Sequence, residues 1–281
     1  ESVSNLVESN GILYFIAKVG GSFEIWSSDG TSGGTRRVDA LYPGSDNFAA
    51  YNLHSVDGSL FFSASGPNND PSGYELWRWE GEGVGTKLFK NLFPDRYIKT
   101  QKIEEDEETG EKTLIIETEE FSFENPEFSP DSFPRNFTNS GGGNFFFTAY
   151  SSIQLPPNPI CSDFDQPRLG GIELWFSNGT ESGTKAIRIN KQEYDIYNPV
   201  SGSYDPTCFE ENYKADGSSF PSDLTLFEKK LYFSANNGRS GFRLWSIPSD
   251  GDEKELESLV LNGNKGKPIS NPKELTIAGN N

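Results

Sequence analysis

The chain has 281 residues, with 22 Phe, 11 Tyr and 5 Trp, 29 Gly and 17 Pro, and few aliphatics. Its formal net charge of −18 repels nucleic-acid phosphate and anionic lipid, leaving cations, basic proteins or plain solvation. Short strands and many turns fit this balance. No window holds an apolar 3.6-residue period of helical length, and no apolar run approaches the roughly 20 residues of a membrane helix.

Taken in order, residues 3–7 read as a first strand and Asn10-Gly11 as a two-residue turn. Ile12 to Ala17 reads as a strand buried on both faces, and Phe23-Glu-Ile-Trp26 as a third strand. A glycine-rich turn follows from Asp29 and Gly30 to Thr35, and residues 35–41 read as a fourth strand. Unit two repeats the plan: 52–56, the turn Asp57-Gly58, then 60–64, 74–77 and 86–92. Unit three runs 135–138, 144–149, 172–175 and 184–189; unit four runs 223–227, 231–235, 242–245 and 256–261. The nine-residue step from Trp26 to Thr35 recurs from Trp77 (through Gly81) to Thr86, and from Trp175 (through Gly179) to Thr184. Trp245 marks a fourth, eroded copy, where Pro248 is expected to break the turn.

Such units, about 40–50 residues long with a Trp in the third strand, predict an all-β, propeller-like array of four-stranded antiparallel blades. One four-stranded sheet cannot cover both of its apolar faces, but stacking on its neighbours covers them, with large aromatics filling the wedge between blades. The blades are placed at about 1–45, 46–96, 130–190 and 219–262, with insertions at 97–129, 150–171 and 191–218. Residues 268–281 look like the first strand of a fifth blade, or a cap, which raises the expectation that the polypeptide continues. The start at Glu1, without a Met or a charged-then-apolar leader, predicts a processed product or an internal segment.

Phe23-Glu-Ile-Trp-Ser-Ser-Asp-Gly-Thr-Ser-Gly-Gly-Thr35 and Ile172-Glu-Leu-Trp-Phe-Ser-Asn-Gly-Thr-Glu-Ser-Gly-Thr184 resemble the ELWxSDGTxxGT repeat of large secreted or surface proteins. The resemblance covers essentially the whole chain and implies β-propeller architecture; it transfers no catalytic residue. Unit two departs from it with Trp79-Glu-Gly-Glu, and unit four loses the Gly-Thr ending.

The spacing from the second-strand Ala to the third-strand Trp locates the insertions. It is nine residues from Ala17 to Trp26 and ten from Ala235 to Trp245, but thirteen from Ala64 to Trp77 and twenty-six from Ala149 to Trp175. In an up-and-down blade the second-to-third loop and the blade-to-blade connection leave from one end; the two remaining turns, including every Asp-Gly-Thr turn, leave from the other. One end is therefore built up by long loops, where recognition usually resides, and the other is short and regular. Residues 97–121 read as a hairpin around Thr109-Gly110 whose acidic tip, Glu104 to Glu108, does not converge on a cation because strand side chains alternate.

Cys161 and Cys208 both fall on the long-loop end, one blade junction apart. A bridge between them would close a loop of nearly fifty residues, worth roughly 4 kcal/mol on a chain-entropy estimate, and would imply an oxidising compartment; two unpaired thiols are the other reading. Asn136-Phe-Thr138 and Asn178-Gly-Thr180 fit the N-glycosylation triplet.

No nucleophile elbow, phosphate loop or zinc spacing appears, and the one histidine, His54, reads as a packing or surface residue. Glu24, Glu75 and Glu173 recur at one blade position, with Arg243 in unit four, and so read as structural. Asp29 and Asn178 read as caps of their own turns, with repeat-wide Ca2+ binding the sharper alternative. No catalytic residue, metal ligand or cofactor is assigned. These observations predict a non-enzymatic, extracytoplasmic structural or adhesive scaffold that binds a protein partner or larger assembly through its loop-bearing end. They predict neither nucleic-acid binding nor membrane insertion. Two alternatives stand beside it: a polysaccharide-binding module that stacks sugars on exposed aromatics such as Trp79, and a glycoside hydrolase whose paired carboxylates meet only in the fold.

Overall fold

The computed structural model describes residues 2–19, 22–38, 50–65, 74–81, 85–92, 99–105, 112–118, 132–153, 168–190, 193–195, 214–216, 218–259 and 272–277. Four antiparallel four-stranded sheets, each in simple chain order, form a propeller-like array. Blade I comprises β1 (Ser2–Ser9), β2 (Ile12–Val19), β3 (Ser22–Ser28) and β4 (Arg36–Arg37). Blade II comprises β5 (Ala50–Val56), β6 (Ser59–Ser65), β7 (Tyr74–Trp79) and β8 (Thr86–Lys90). The expected hairpin follows, β9 (Lys99–Glu105) pairing with β10 (Lys112–Thr118). Blade III comprises β11 (Arg135–Gly141), β12 (Asn144–Ile153), β13 (Arg168–Ser177) and β14 (Lys185–Ile187). A short pair, β15 (Glu193–Asp195) with β16 (Lys214–Asp216), precedes blade IV: β17 (Ser222–Phe227), β18 (Lys230–Asn236), β19 (Phe242–Pro248) and β20 (Glu257–Leu259).

The Asn10-Gly11 and Asp57-Gly58 turns carry positive φ at both central residues (52° and 79°; 45° and 80°), the mirror-image turn that matches strand twist. Blade IV turns the same way on Glu228 and Lys229, at 46° and 66°, without a glycine to announce it.

Three apolar layers lie between successive blades. Leu60, Phe62, Ala64 and Trp77 of blade II pack on Tyr14, Ile16 and Ile25 of blade I. Phe145, Phe147, Ala149 and Trp175 of blade III pack on Phe61, Leu76 and Phe89 of blade II. Leu231, Phe233 and Ala235 of blade IV pack on Phe146, Leu174, Phe176 and Ile187 of blade III. Burying one Phe or Leu stabilises by about 1.5–3 kcal/mol, whereas an exposed ion pair such as Lys185–Glu253 contributes about 0–1 kcal/mol, so these layers and not the surface charges hold the array together.

Three expectations are corrected. β2 is not buried along its whole length, since Leu13 is 38% exposed while Ala17 on the same side is 8% exposed. The insertion in blade III leaves the ladder later than residue 150, because β12 and β13 stay paired, across a register shift between Tyr150 and Ser152, out to Ile153↔Arg168 and only 154–167 lies beyond the paired strands. Pro248 does not break its turn; it ends β19, still paired with Lys230, and the turn follows with Gly251 N–H donating to the Pro248 carbonyl at 2.9 Å.

Candidate functional site

The Asp-Gly-Thr turn is closed by its own side chains. Asp29 Oδ1 accepts from the Thr31 amide (2.9 Å) and hydroxyl (2.7 Å), Thr31 Oγ1 accepts from Gly34 N–H (3.0 Å), and Thr35 Oγ1 donates to the Thr31 carbonyl (2.7 Å). Ser28 and Thr35 hydroxyls meet at 2.7 Å. Blade III repeats this with Asn178 in place of Asp29: 3.1, 2.7, 3.0 and 2.7 Å around Thr180, Gly183 and Thr184, and 2.7 Å between Ser177 and Thr184. Gly30 and Gly179 supply φ of 92° and 80°, and a Cβ on Gly34 or Gly183 would strike the Asp29 or Asn178 side chain. The Thr31 bonds hold the Asp29 carboxyl below its ordinary value of 3.8. Among the described residues, no group of three or more His, Cys, Asp or Glu side chains is placed to hold a metal.

Blade II closes this turn with different bonds. Gly81, at φ 108°, accepts from Gly85 N–H at 3.0 Å, Glu80 N–H donates to the Gly85 carbonyl at 3.0 Å, and Glu80 pairs with Lys87 at 2.6 Å near the start of the Thr86 strand. Trp77 and Trp175 are buried in the inter-blade layers, and Trp26 and Trp245 are half-buried, the latter donating to the Ala235 carbonyl at 3.1 Å. Trp79, expected to be exposed, is half-buried and packs on Tyr14 with ring centroids 5.4 Å apart; it is not a free platform for a sugar.

Glu75 and Glu173 clamp the entry to the next blade. Buried Glu75 accepts through Oε2 from Leu92 N–H (2.6 Å) and from the Ser132 hydroxyl (2.8 Å), and buried Glu173 accepts from the Ser219 hydroxyl (2.5 Å). The amides of Ser132 and Phe133 both donate to the Tyr74 carbonyl, and those of Ser219 and Phe220 to the Ile172 carbonyl. Phe133 and Phe220 are held at φ 44° and 45°, a conformation bulky residues rarely adopt. This clamp escaped the sequence reading, although Ser-Phe-Pro at 132–134 and 219–221 signals it. Glu24 instead meets Arg37 at 3.3 Å, and Arg243 donates to the Phe242 carbonyl at 3.1 Å.

A second recurrent device lies on the first strands. Asn5, Asn52, Asn136 and Asp223 sit there at φ of 55–56°, as does Glu274 in the 272–277 segment, which forms no strand. Asn5 bonds both N–H and C=O of Leu53 at 2.8 Å, Asn52 donates to the Pro134 carbonyl at 3.1 Å, and Asp223 accepts from Glu274 N–H at 3.0 Å. Asn136, a candidate glycosylation site, is exposed and donates to Thr148 Oγ1 at 3.0 Å; Asn178 is exposed in its turn. His54 Nε2 lies 2.8 Å from Asn139 Oδ1 and its ring stacks on Phe137. Asn139 Nδ2 donates to the Ser55 carbonyl at 2.9 Å, which turns Oδ1 toward the histidine and puts the imidazole proton on Nε2. Burial lowers the His54 value below 6.5, with the Asn139 bond opposing.

At the opposite end from the Asp-Gly-Thr turns the chain leaves the blades between β6 and β7, β8 and β11, β12 and β13, and β14 and β17. Cys161 and Cys208 fall in two of these excursions and lie outside the described residues, as does the hairpin tip at 106–111.

No family model and no curated protein matches the chain. Among solved structures it is similar to a prolyl endopeptidase, one of two analysed for the role of inter-domain dynamics in catalysis and specificity, at 11% identity and TM-score 0.36, covering 94% of this chain and 37% of that one. It is also similar to a mutant Trypanosoma rangeli sialidase that displays trans-sialidase activity, at 11% identity and TM-score 0.20, covering 88% of this chain and 46% of that one. The chain thus spans less than half the length of either.

Proposed function

We propose that the protein is a non-enzymatic, extracytoplasmic binding scaffold that holds a protein partner on its loop-bearing end. The observation that carries this is the division of labour along each blade. On one end the turns are short, and their polar groups are spent on one another or on the neighbouring blade: Gly58 abuts the Asn10 side chain, and Ser140 donates to the Ser249 carbonyl at 2.8 Å. On the other end the excursions are long and vary from blade to blade, as recognition requires and a scaffold alone does not. The recurrent acids support the same reading, since Glu75 and Glu173 are engaged in joining blades.

The test is paired capture from the extracellular fraction of the source cells. The bait is the intact chain beside a variant in which 154–167 is replaced by Asn-Gly, closing the hairpin across the Ile153↔Arg168 pair. A protein held by the first bait and lost from the equally folded second supports the reading. Equal capture by both, or turnover of a glycan by the intact chain, contradicts it.

A further inference from the structure

The amide nitrogens of the two glycosylation triplets have opposite structural roles. Asn178, Thr180, Glu181 and Ser182 are all exposed on the turn between β13 and β14. Asn178 Oδ1 closes that turn, accepting from the Thr180 amide at 3.1 Å and hydroxyl at 2.7 Å. Blade I closes the same turn on the Asp29 carboxylate, which has no N–H to offer, so the turn does not require Nδ2 of Asn178. The turn is also held from blade II, where Lys90 Nζ donates to the Glu181 carbonyl at 3.0 Å. Asn178 is therefore an exposed carboxamide on a fixed backbone, and its oxygen holds the turn while its nitrogen is dispensable to it.

Asn136 is the reverse case. Its Nδ2 donates at 3.0 Å to Thr148 Oγ1, and Thr148 is 0% exposed. That hydroxyl passes its own proton to the Arg135 carbonyl at 3.2 Å, so the Asn136 nitrogen completes a short chain of bonds across the register shift between Arg135 and Thr138. Phe137, in the middle of the same triplet, stacks on Phe147 with ring centroids 5.5 Å apart. A saccharide on this nitrogen would be crowded by a buried hydroxyl and a paired strand.

We infer that the folded protein carries an N-linked glycan on Asn178 and none on Asn136. This rests on the extracytoplasmic reading above, since the donor is a lipid-pyrophosphate-linked oligosaccharide and the acceptor triplet is used in secreted chains. In the transfer Nδ2 bonds to the anomeric carbon, the anomeric C–O bond breaks with its electron pair going to the pyrophosphate, and one Nδ2 proton is released to solvent. Oδ1 is untouched, so the modified turn keeps its bonds. Transfer precedes folding, and the fold then selects: a chain modified at Asn136 folds against its own β11–β12 contact, whereas one modified at Asn178 folds unhindered. The glycan covers the short-turn end and leaves the loop-bearing end free.

Trypsin cuts after Arg135, Arg168 and Lys185, so the two triplets fall on separate peptides, 136–168 and 169–185. Mass spectrometry of the protein from the source cells should show peptide 169–185 carrying a saccharide that peptide-N-glycosidase removes, and peptide 136–168 only unmodified. Asn178→Asp, made in the same cells, should lose that mass entirely and keep the melting temperature of the enzymatically deglycosylated chain, because Asp29 already holds an identical turn. A glycan on 136–168, or N178D that keeps the full glycan mass, overturns the inference. An unmodified chain in the extracellular fraction overturns it and leaves the scaffold reading standing; an unmodified chain confined to the cytosol overturns both.

Discussion

Asp29 and Asn178 make the same hydrogen bonds in the same turn, so Asp29→Asn should leave the first blade's turn intact while Asp29→Ala opens it. Because the folded-state value of Asp29 is lowered, its contribution is present above 3.8 and fades as pH falls through the folded value; melting curves of D29N should therefore lack that acid-side loss. His54 runs on the same sign by a different cause. Burial favours the neutral ring, so its contribution is full above 6.5 and is lost as pH falls through the lowered value. With a single histidine in the chain, its imidazole resonance reports this without assignment: a midpoint below 6.5 is expected, and His54→Gln should flatten the melting temperature across that window. Glu75→Ala strands the Leu92 amide in a buried site, while the Ser132 hydroxyl keeps the Tyr74 carbonyl at 2.8 Å, and urea unfolding should show a loss of about 1–3 kcal/mol.

At the scale of the element, blades III and IV meet where Gly251, at φ 72°, brings its backbone against the Phe176 ring, and a Cβ there would enter the ring. Gly251→Ala should cost about 1–3 kcal/mol by denaturant unfolding, more than a glycine-to-alanine change on an open turn costs. Strands β2, β3, β6, β7, β12, β13, β18 and β19 were legible because their apolar runs and the Trp-to-Thr step depend on local chemistry alone. The fourth strands were overestimated: residues 184–189 carry strand-like composition, but β14 spans only Lys185–Ile187. The left-handed position on each first strand was missed because alternation arguments assume extended backbone throughout. The run of Asn5, Asn52, Asn136 and Asp223 was the available signal, since Asn and Asp tolerate positive φ, but Glu274 at the same φ hides the pattern. Trp79 was misjudged for the opposite reason: its exposure depends on Tyr14 of another blade, which no local window contains.

At the scale of the whole molecule, the short turns and the long connections are separated by chain topology. Up-and-down pairing sends the turns of each blade to one end and the connections to the other, so insertions accumulate on the latter without disturbing the three apolar layers. The hairpin β9–β10 and the pair β15–β16 show that some of these excursions carry strands of their own. The proposed binding end is the loop-bearing one, and hydrogen–deuterium exchange of the chain with its captured partner tests that most directly. The account predicts partner-dependent protection of peptides in 93–131, 154–167 and 191–217, with the Asp29–Thr35 and Asn178–Thr184 turns unchanged. Protection of those turns with the long loops left unaffected would contradict it.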